Sequence, residues 1–216
     1  MNEHAKTSSF LLEDQINDYF QSHEGALLAA WAEAGGEAPN PSDYQRPAGS
    51  LEKMVRKGFR IFEGHSVLDI GCNAGLNSLA LSFIASKVIG CDHQPIYISR
   101  ALAGKEFMER ERDMSHVQFE VGDFSHFLTD DLNAIIACRI LYHIGDEGVT
   151  NLSNFLKPRR DFRILVHTRP GRKTSRTEAF NGLIEVADIR DFLSGLGFRN
   201  FKEWGSPRQR VLVAEK

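Results

Sequence analysis

Cysteine is scarce. Cys72, Cys91 and Cys138 are the only three in 216 residues, and no two form a C-x-x-C pair, which argues against a disulfide framework, a zinc-thiolate site and a dithiol redox motif. They are expected to be buried, reduced thiols. The sequence also has no uninterrupted apolar run of roughly 18 residues and no basic-then-apolar leader, so neither a spanning helix nor an export signal is expected, and the cytoplasm is the predicted location. Positive charge is not in excess either: the formal net charge is −3, so binding to nucleic acid or an anionic membrane would need a local basic patch. Internal repeats and low-complexity tracts are missing as well.

What is present is ordinary globular material, 42% hydrophobic and 25% charged, in a length that suits one main domain with a modest extension. Short β-rich runs alternate with helical patterns from residue 66 onward, the arrangement of a mostly parallel α/β sheet with helices on both faces. Strands are predicted at 66–70, 87–92, 117–121, 134–138, 162–167, 198–204 and 210–213, and helices at 77–85, 95–112, 147–156 and 185–196. The last two strands lie close together with "GSP" at 205–207 as their turn, so an antiparallel edge is expected. Residues 1–50 are expected to form an N-terminal helical extension and candidate lid, and residues 51–216 the main domain. In the extension, Leu12, Ile16, Tyr19 and Phe20 recur at helical spacing, and Gly35 and Gly36 end a second helical run. A proline-rich loop follows. Ser50 then reads as the N-cap of a helix with Leu51, Met54 and Val55 on one face.

The first predicted strand runs into "VLDIGCNAGLNSL" at 67–79. A glycine-rich turn between a strand and its helix is where open α/β sheets receive nucleotides. The dinucleotide fingerprint started at Gly71 fails, because Asn73 and Leu76 stand where two glycines belong. Acid-x-Gly-x-x-x-Gly fits instead, as Asp69, Gly71 and Gly75, with Cys72 and Asn73 between the glycines and Asn73 tolerant of positive φ. A carboxylate at the strand end repels a pyrophosphate but suits a ligand that carries an ammonium and a sulfonium, as S-adenosyl-L-methionine (SAM) does.

"VLDIGCNAG" resembles the first motif of the class I SAM-dependent methyltransferases, and the likeness extends from about residue 66 to the C-terminus. The resemblance implies a Rossmann-like seven-stranded sheet of order 3-2-1-4-5-7-6 with one antiparallel strand. It also implies SAM as cofactor, an acid after the second strand for the ribose hydroxyls, and an acid after the third for the adenine amino group. "VIGCDHQP" supplies Asp92 with His93 beside it, and "EVGDFSHF" supplies Asp123 with Phe124 for the adenine ring. Cys138 is expected to offer its backbone carbonyl to the cofactor.

Because the sulfonium activates its own methyl group, the protein's task is to align the acceptor and exclude water. "CRILYHI" after the fourth strand resembles the stretch in which small-molecule methyltransferases carry a histidine. His143 is therefore the candidate base, with Tyr142 and Arg139 to orient the acceptor. The same segment lacks the Asn/Asp-Pro-Pro-aromatic motif of DNA amino-methylating enzymes and the acids of magnesium-dependent ones, so no metal is expected. His167 is a secondary base candidate. Arg169, Arg172, Lys173 and Arg176 follow it on the crevice edge, where they could read a carboxylate or phosphate, whereas Lys157, Arg159 and Arg160 are predicted to be solvated surface. Trp31, Tyr44 and Arg46 are candidate substrate contacts. The expected function is methyl transfer to a small-molecule acceptor; the alternatives are methyl or carboxymethyl transfer to tRNA wobble uridine, and a nonenzymatic SAM-fold binding protein.

Overall fold

The computed structural model describes residues 3–35, 46–169 and 183–216, with side chains from residue 12 onward. Seven strands form one sheet: β1 (Ser66–Ile70), β2 (Lys87–Asp92), β3 (Val117–Val121), β4 (Ala134–Cys138), β5 (Arg163–Thr168), β6 (Arg199–Ser206) and β7 (Gln209–Glu215). Their order is β3-β2-β1-β4-β5-β7-β6. Pairings among β1 to β5 are parallel, and β7 runs antiparallel to both β5 and β6. β1 and β4 are buried along their whole length, because helices cover both faces and water reaches neither.

Two apolar layers result. On one face α1 (Glu3–Gly35), α2 (Ser50–Arg56), α3 (Leu76–Leu81) and α4 (Pro95–Glu109) close over Val67, Val88, Ile136 and Val213. On the other, α5 (Gly145–Leu156) and α6 (Val186–Gly195) cover Leu68, Ile135, Ile164 and Leu212. The chain leaves β1 for β2 on one side, while β4 lies on the other, so the crevice between their C-terminal ends is the place where such sheets take ligands.

Several local expectations are corrected. Residues 3–35 form one helix, not two runs, and Ile16, Phe20, Leu27 and Trp31 are its buried stripe. Trp31 is fully buried beside Leu27, Leu79 and Gly104, so it is core and not a substrate contact. A Cβ on Gly104 would sit 2.8 Å from the Trp31 Nε1, which shows how closely α1 approaches α4. Arg46 is engaged with Glu24, and Tyr44 lies outside the described residues, as do Arg172, Lys173 and Arg176. Gly49, not Ser50, occupies the N-cap of α2, and the face that α2 buries holds Glu52, Val55 and Arg56. The final hairpin turns at Pro207 and Arg208, because Gly205 and Ser206 still pair with β7. Arg159 is not merely solvated: its guanidinium lies 3.8 Å from the Phe155 ring centre and pairs with Asp130 at 3.0 Å.

Candidate functional site

The loop after β1 turns through three left-handed residues, Gly71 (φ +66°), Asn73 (φ +52°) and Gly75 (φ +79°). Asn73 holds this conformation by accepting the Ala74 N–H on its own Oδ1 at 2.6 Å, the local bond that makes asparagine tolerable there. Two contacts stitch the loop to β2: the Cys72 N–H donates to the Cys91 carbonyl at 2.9 Å, and the Asn73 N–H to Asp92 Oδ2 at 3.1 Å. Cys72 and Cys91 are buried, and burial raises both thiols, Cys91 to about 12. They are inert at neutral pH.

A pocket of about 210 Å³ opens beside this loop. Gly71, Asp92 and His93 line one side, Asp123 and Phe124 another, and Ile140, His143 and Ile144 the third. Asp92 is 7% exposed and is fixed by the N–H groups of Asn73 and Gln94, at 3.1 and 3.0 Å, one to each oxygen. Each oxygen keeps a further lone pair for a ligand hydroxyl. His93 stands exposed with Nδ1 3.5 Å from Asp92. Asp123 caps the short 3₁₀ turn Phe124–Phe127 by accepting the Ser125 N–H at 2.8 Å, and hydrogen bonding from Ser125, its side chain first and this N–H second, holds the Asp123 carboxyl below the usual range.

Asp69 stands apart from the pocket wall. It is 1% exposed, its Oδ2 accepts the Ser78 hydroxyl at 2.6 Å, and Oδ1 is buried without a partner. Burial pushes its carboxyl up to about 7, against the Ser78 hydrogen bond and with a small addition from the Asp92 charge. Burial therefore works against the permanent negative charge expected at this strand end. Gly75 also serves packing: a Cβ there would lie 2.7 Å from the Phe119 ring and 2.8 Å from Ala101.

At the end of β4 the buried Cys138 is followed by Arg139 in the left-handed region (φ +61°), with its N–H on the His167 carbonyl at 2.7 Å. The 3₁₀ turn Leu141–His143 then brings His143 onto the pocket wall, exposed, with its ring 4.4 Å from that of the buried Tyr142. The Arg139 charge acts on Cys138, Glu52 and His167. His167 is 1% exposed and bonded through Nε2 to Gln209 Oε1 at 2.8 Å. Burial lowers it to about 4, so it is a neutral structural residue here and not a poised base. Arg169 is exposed at the end of β5.

Glu52 on α2 was not foreseen. It is 3% exposed, and burial raises its carboxyl to about 7 against the charges of Arg56 and Arg139. The sequence hides it, because an acid four residues before an arginine on a short helix has the pattern of a solvated i,i+4 pair. Among the described residues no group of three or more His, Cys, Asp or Glu is placed to hold a metal ion, and no helix is long and apolar enough to cross a membrane.

No family model and no curated protein matches the chain. Solved structures do. Magnesium protoporphyrin IX methyltransferase from Synechocystis PCC 6803, crystallised with bound SAH (S-adenosylhomocysteine), superposes with a TM-score of 0.60 at 18% identity, over 95% of this chain and 99% of that one. A SAM-dependent methyltransferase from Archaeoglobus fulgidus gives 0.57 at 16% identity, over 78% of this chain and 95% of that one. Another from Mesorhizobium loti gives 0.56 at 14% identity, over 79% and 100%. The fold is that of the class I SAM-dependent methyltransferases. At these identities the likeness speaks for architecture alone, and the sheet order expected from the resemblance is the order observed.

Proposed function

We propose that the chain is a SAM-dependent methyltransferase acting on a small-molecule acceptor. The observation that carries this reading is the convergence of Gly71, Asp92, Asp123 and Phe124, from the ends of three successive strands, on one pocket at the switch point of the sheet. In this reading Asp92, pre-set by two backbone N–H groups, accepts the ribose hydroxyls, while Asp123 and the apolar face of Phe124 hold the adenine. Asn73, Cys72 and Cys138 offer backbone groups. When bound, SAM supplies an electrophilic methyl on a sulfonium. The chain's part is to line up the acceptor atom, keep water out and take up a proton where the acceptor carries one. His143, exposed on the pocket wall, is the group for that proton, and Tyr142 supports its ring. One structural neighbour is named for a small-molecule acceptor, magnesium protoporphyrin IX, which supports the acceptor class.

Isothermal titration with SAH is expected to show binding that weakens at least tenfold in Asp92→Ala. Incubation with labelled SAM and a metabolite extract is expected to give a labelled small molecule, reduced about 100-fold or more in His143→Ala. Failure of the folded protein to bind SAH overturns the cofactor assignment. Label that appears only when tRNA is added overturns the acceptor class.

A further inference from the structure

Two buried carboxyls act on the end of β4, and the reading above leaves both without a task. Glu52 is 3% exposed and Asp69 1%. Each keeps one buried oxygen without a hydrogen-bond partner, Oε1 of Glu52 and Oδ1 of Asp69. They come from different elements, α2 and β1, yet both lie within electrostatic reach of the Cys138 thiol. The cations that face Glu52 are Arg56 on its own helix and Arg139 at the end of β4. Arg56 is committed elsewhere: its guanidinium donates to Asn17 Oδ1 at 3.0 Å and to the Pro47 carbonyl at 2.7 Å, and it lies 4.4 Å from the Phe20 ring centre. Among the described residues no cation comes within ion-pairing distance of Glu52 or Asp69.

A buried acid with an unpaired oxygen costs folding free energy and is tolerated where a ligand completes it. The ligand chemistry can be read from the donors. Two carboxyl oxygens from separate residues are too few for a hard divalent cation, which takes six or more oxygens or holds its water. They suit an ammonium, a compact cation with three N–H donors. Arg139, close by and of opposite sign, suits a carboxylate. An ammonium and a carboxylate on one carbon are an α-amino acid, and SAM carries that group at the end remote from its adenine.

Building on the proposed cofactor, we propose that Glu52 is a ligand-binding residue that, together with Asp69, receives the α-ammonium group of the cofactor's amino-acid end, with Arg139 facing the adjoining carboxylate. α2 is thereby part of the cofactor site, and the pocket at Asp92 and Asp123 is its nucleoside half. One consequence needs no variant. Burial holds both acids near pH 7 without ligand, and an ammonium selects their ionised forms, so binding expels protons at neutral pH. The charges that set this balance are Arg56 and Arg139 around Glu52 and Asp92 near Asp69; the neighbouring Cys138 and Cys72 are neutral thiols at this pH.

The test compares SAH with 5′-methylthioadenosine, which has the same nucleoside and no amino-acid end, by titration calorimetry in two buffers of different ionisation enthalpy. Wild type is expected to release protons at pH 7 on binding SAH but not methylthioadenosine, and to bind SAH more weakly at pH 6 than at pH 8. Glu52→Gln is expected to weaken SAH about tenfold, leave methylthioadenosine within about twofold, and release fewer protons. Equal weakening of both ligands in a folded Glu52→Gln protein, or none, overturns the inference while the cofactor assignment stands. A folded wild type that binds neither ligand overturns both.

Discussion

Gly75 and Gly71 share a sequence motif and a left-handed backbone, but their surroundings give them different work. At Gly71 a Cβ would press on the Ile140 side chain at 2.8 Å, at the edge of the pocket. At Gly75 it would meet Phe119 and Ala101, inside the layer that seats α4 on the sheet. Gly75→Ala combines an unfavourable φ with overpacking against a ring and a helix, so a loss of about 2–4 kcal/mol is expected. A urea-unfolding free energy within about 0.5 kcal/mol of wild type would show that the loop yields and that packing does not require this glycine. The same contrast explains which site residues could be read in advance. Asp92, Asp123 and Phe124 follow directly from their place at strand ends, because strand direction and the switch point fix where those ends lie. The burial of Asp69 does not follow, since it depends on Ser78, one turn into α3, closing over the carboxyl. Nor does that of Glu52, on which Arg139, distant in sequence at the end of β4, acts.

Among the elements, the strands were the more legible, because fully buried parallel strands are dense in Val, Ile, Leu and Ala and are bounded by polar or glycine residues. β1 to β4 fall where the apolar runs place them, β5 lies one residue later, and the C-terminal hairpin extends past its glycine. Helices were less legible at their ends. α1 continues through "SHEGALL" although a glycine sits in its middle. The reason is tertiary: Ile16, Phe20, Leu27 and Trp31 on either side of Gly25 bury against one surface, and that packing outweighs a glycine's cost of roughly 1 kcal/mol. Gly25 itself faces outward, with no atom within 4 Å of a built Cβ. Gly25→Ala is therefore expected to raise stability by about 0.5–1 kcal/mol, visible as a higher melting temperature with an unchanged far-ultraviolet spectrum. A lower melting temperature would indicate a bend at Gly25 that the protein needs.

For the molecule as a whole, three displaced buried groups that titrate between about pH 4 and 7 set an unusual dependence of stability on pH. Asp69 moves from 3.8 to about 7 and Glu52 from 4.5 to about 7, both upward through burial. Folded protein therefore holds two protons that the unfolded chain has released, and this stabilising contribution, full below about pH 4, is lost as pH rises through 7. His167 moves the other way, from 6.5 to about 4, so its contribution is present above pH 6.5 and is lost as pH falls through 4. Between about pH 5 and 6.5 the acids outweigh the histidine by one proton, and stability falls with rising pH by about 1 kcal/mol per unit. Glu13, also raised by burial, acts in the same direction. Asp131, lowered to about 2, and Tyr19, raised to about 12, act outside this window. In a chain of this length the slope amounts to about 2–4 °C in melting temperature per pH unit. Calorimetric scans of the ligand-free protein are expected to show melting temperature decreasing from pH 5 to 7. Glu52→Gln combined with Asp69→Asn removes both acids and leaves His167, so its melting temperature is expected to increase over the same range. Saturating SAH is expected to give wild type the variant's sign of slope, because the bound ammonium keeps both acids ionised. A ligand-free wild type that gains stability from pH 5 to 7 would show that Glu52 and Asp69 are charged in the folded state, and the cost of burying them would have to be met by partners other than a ligand.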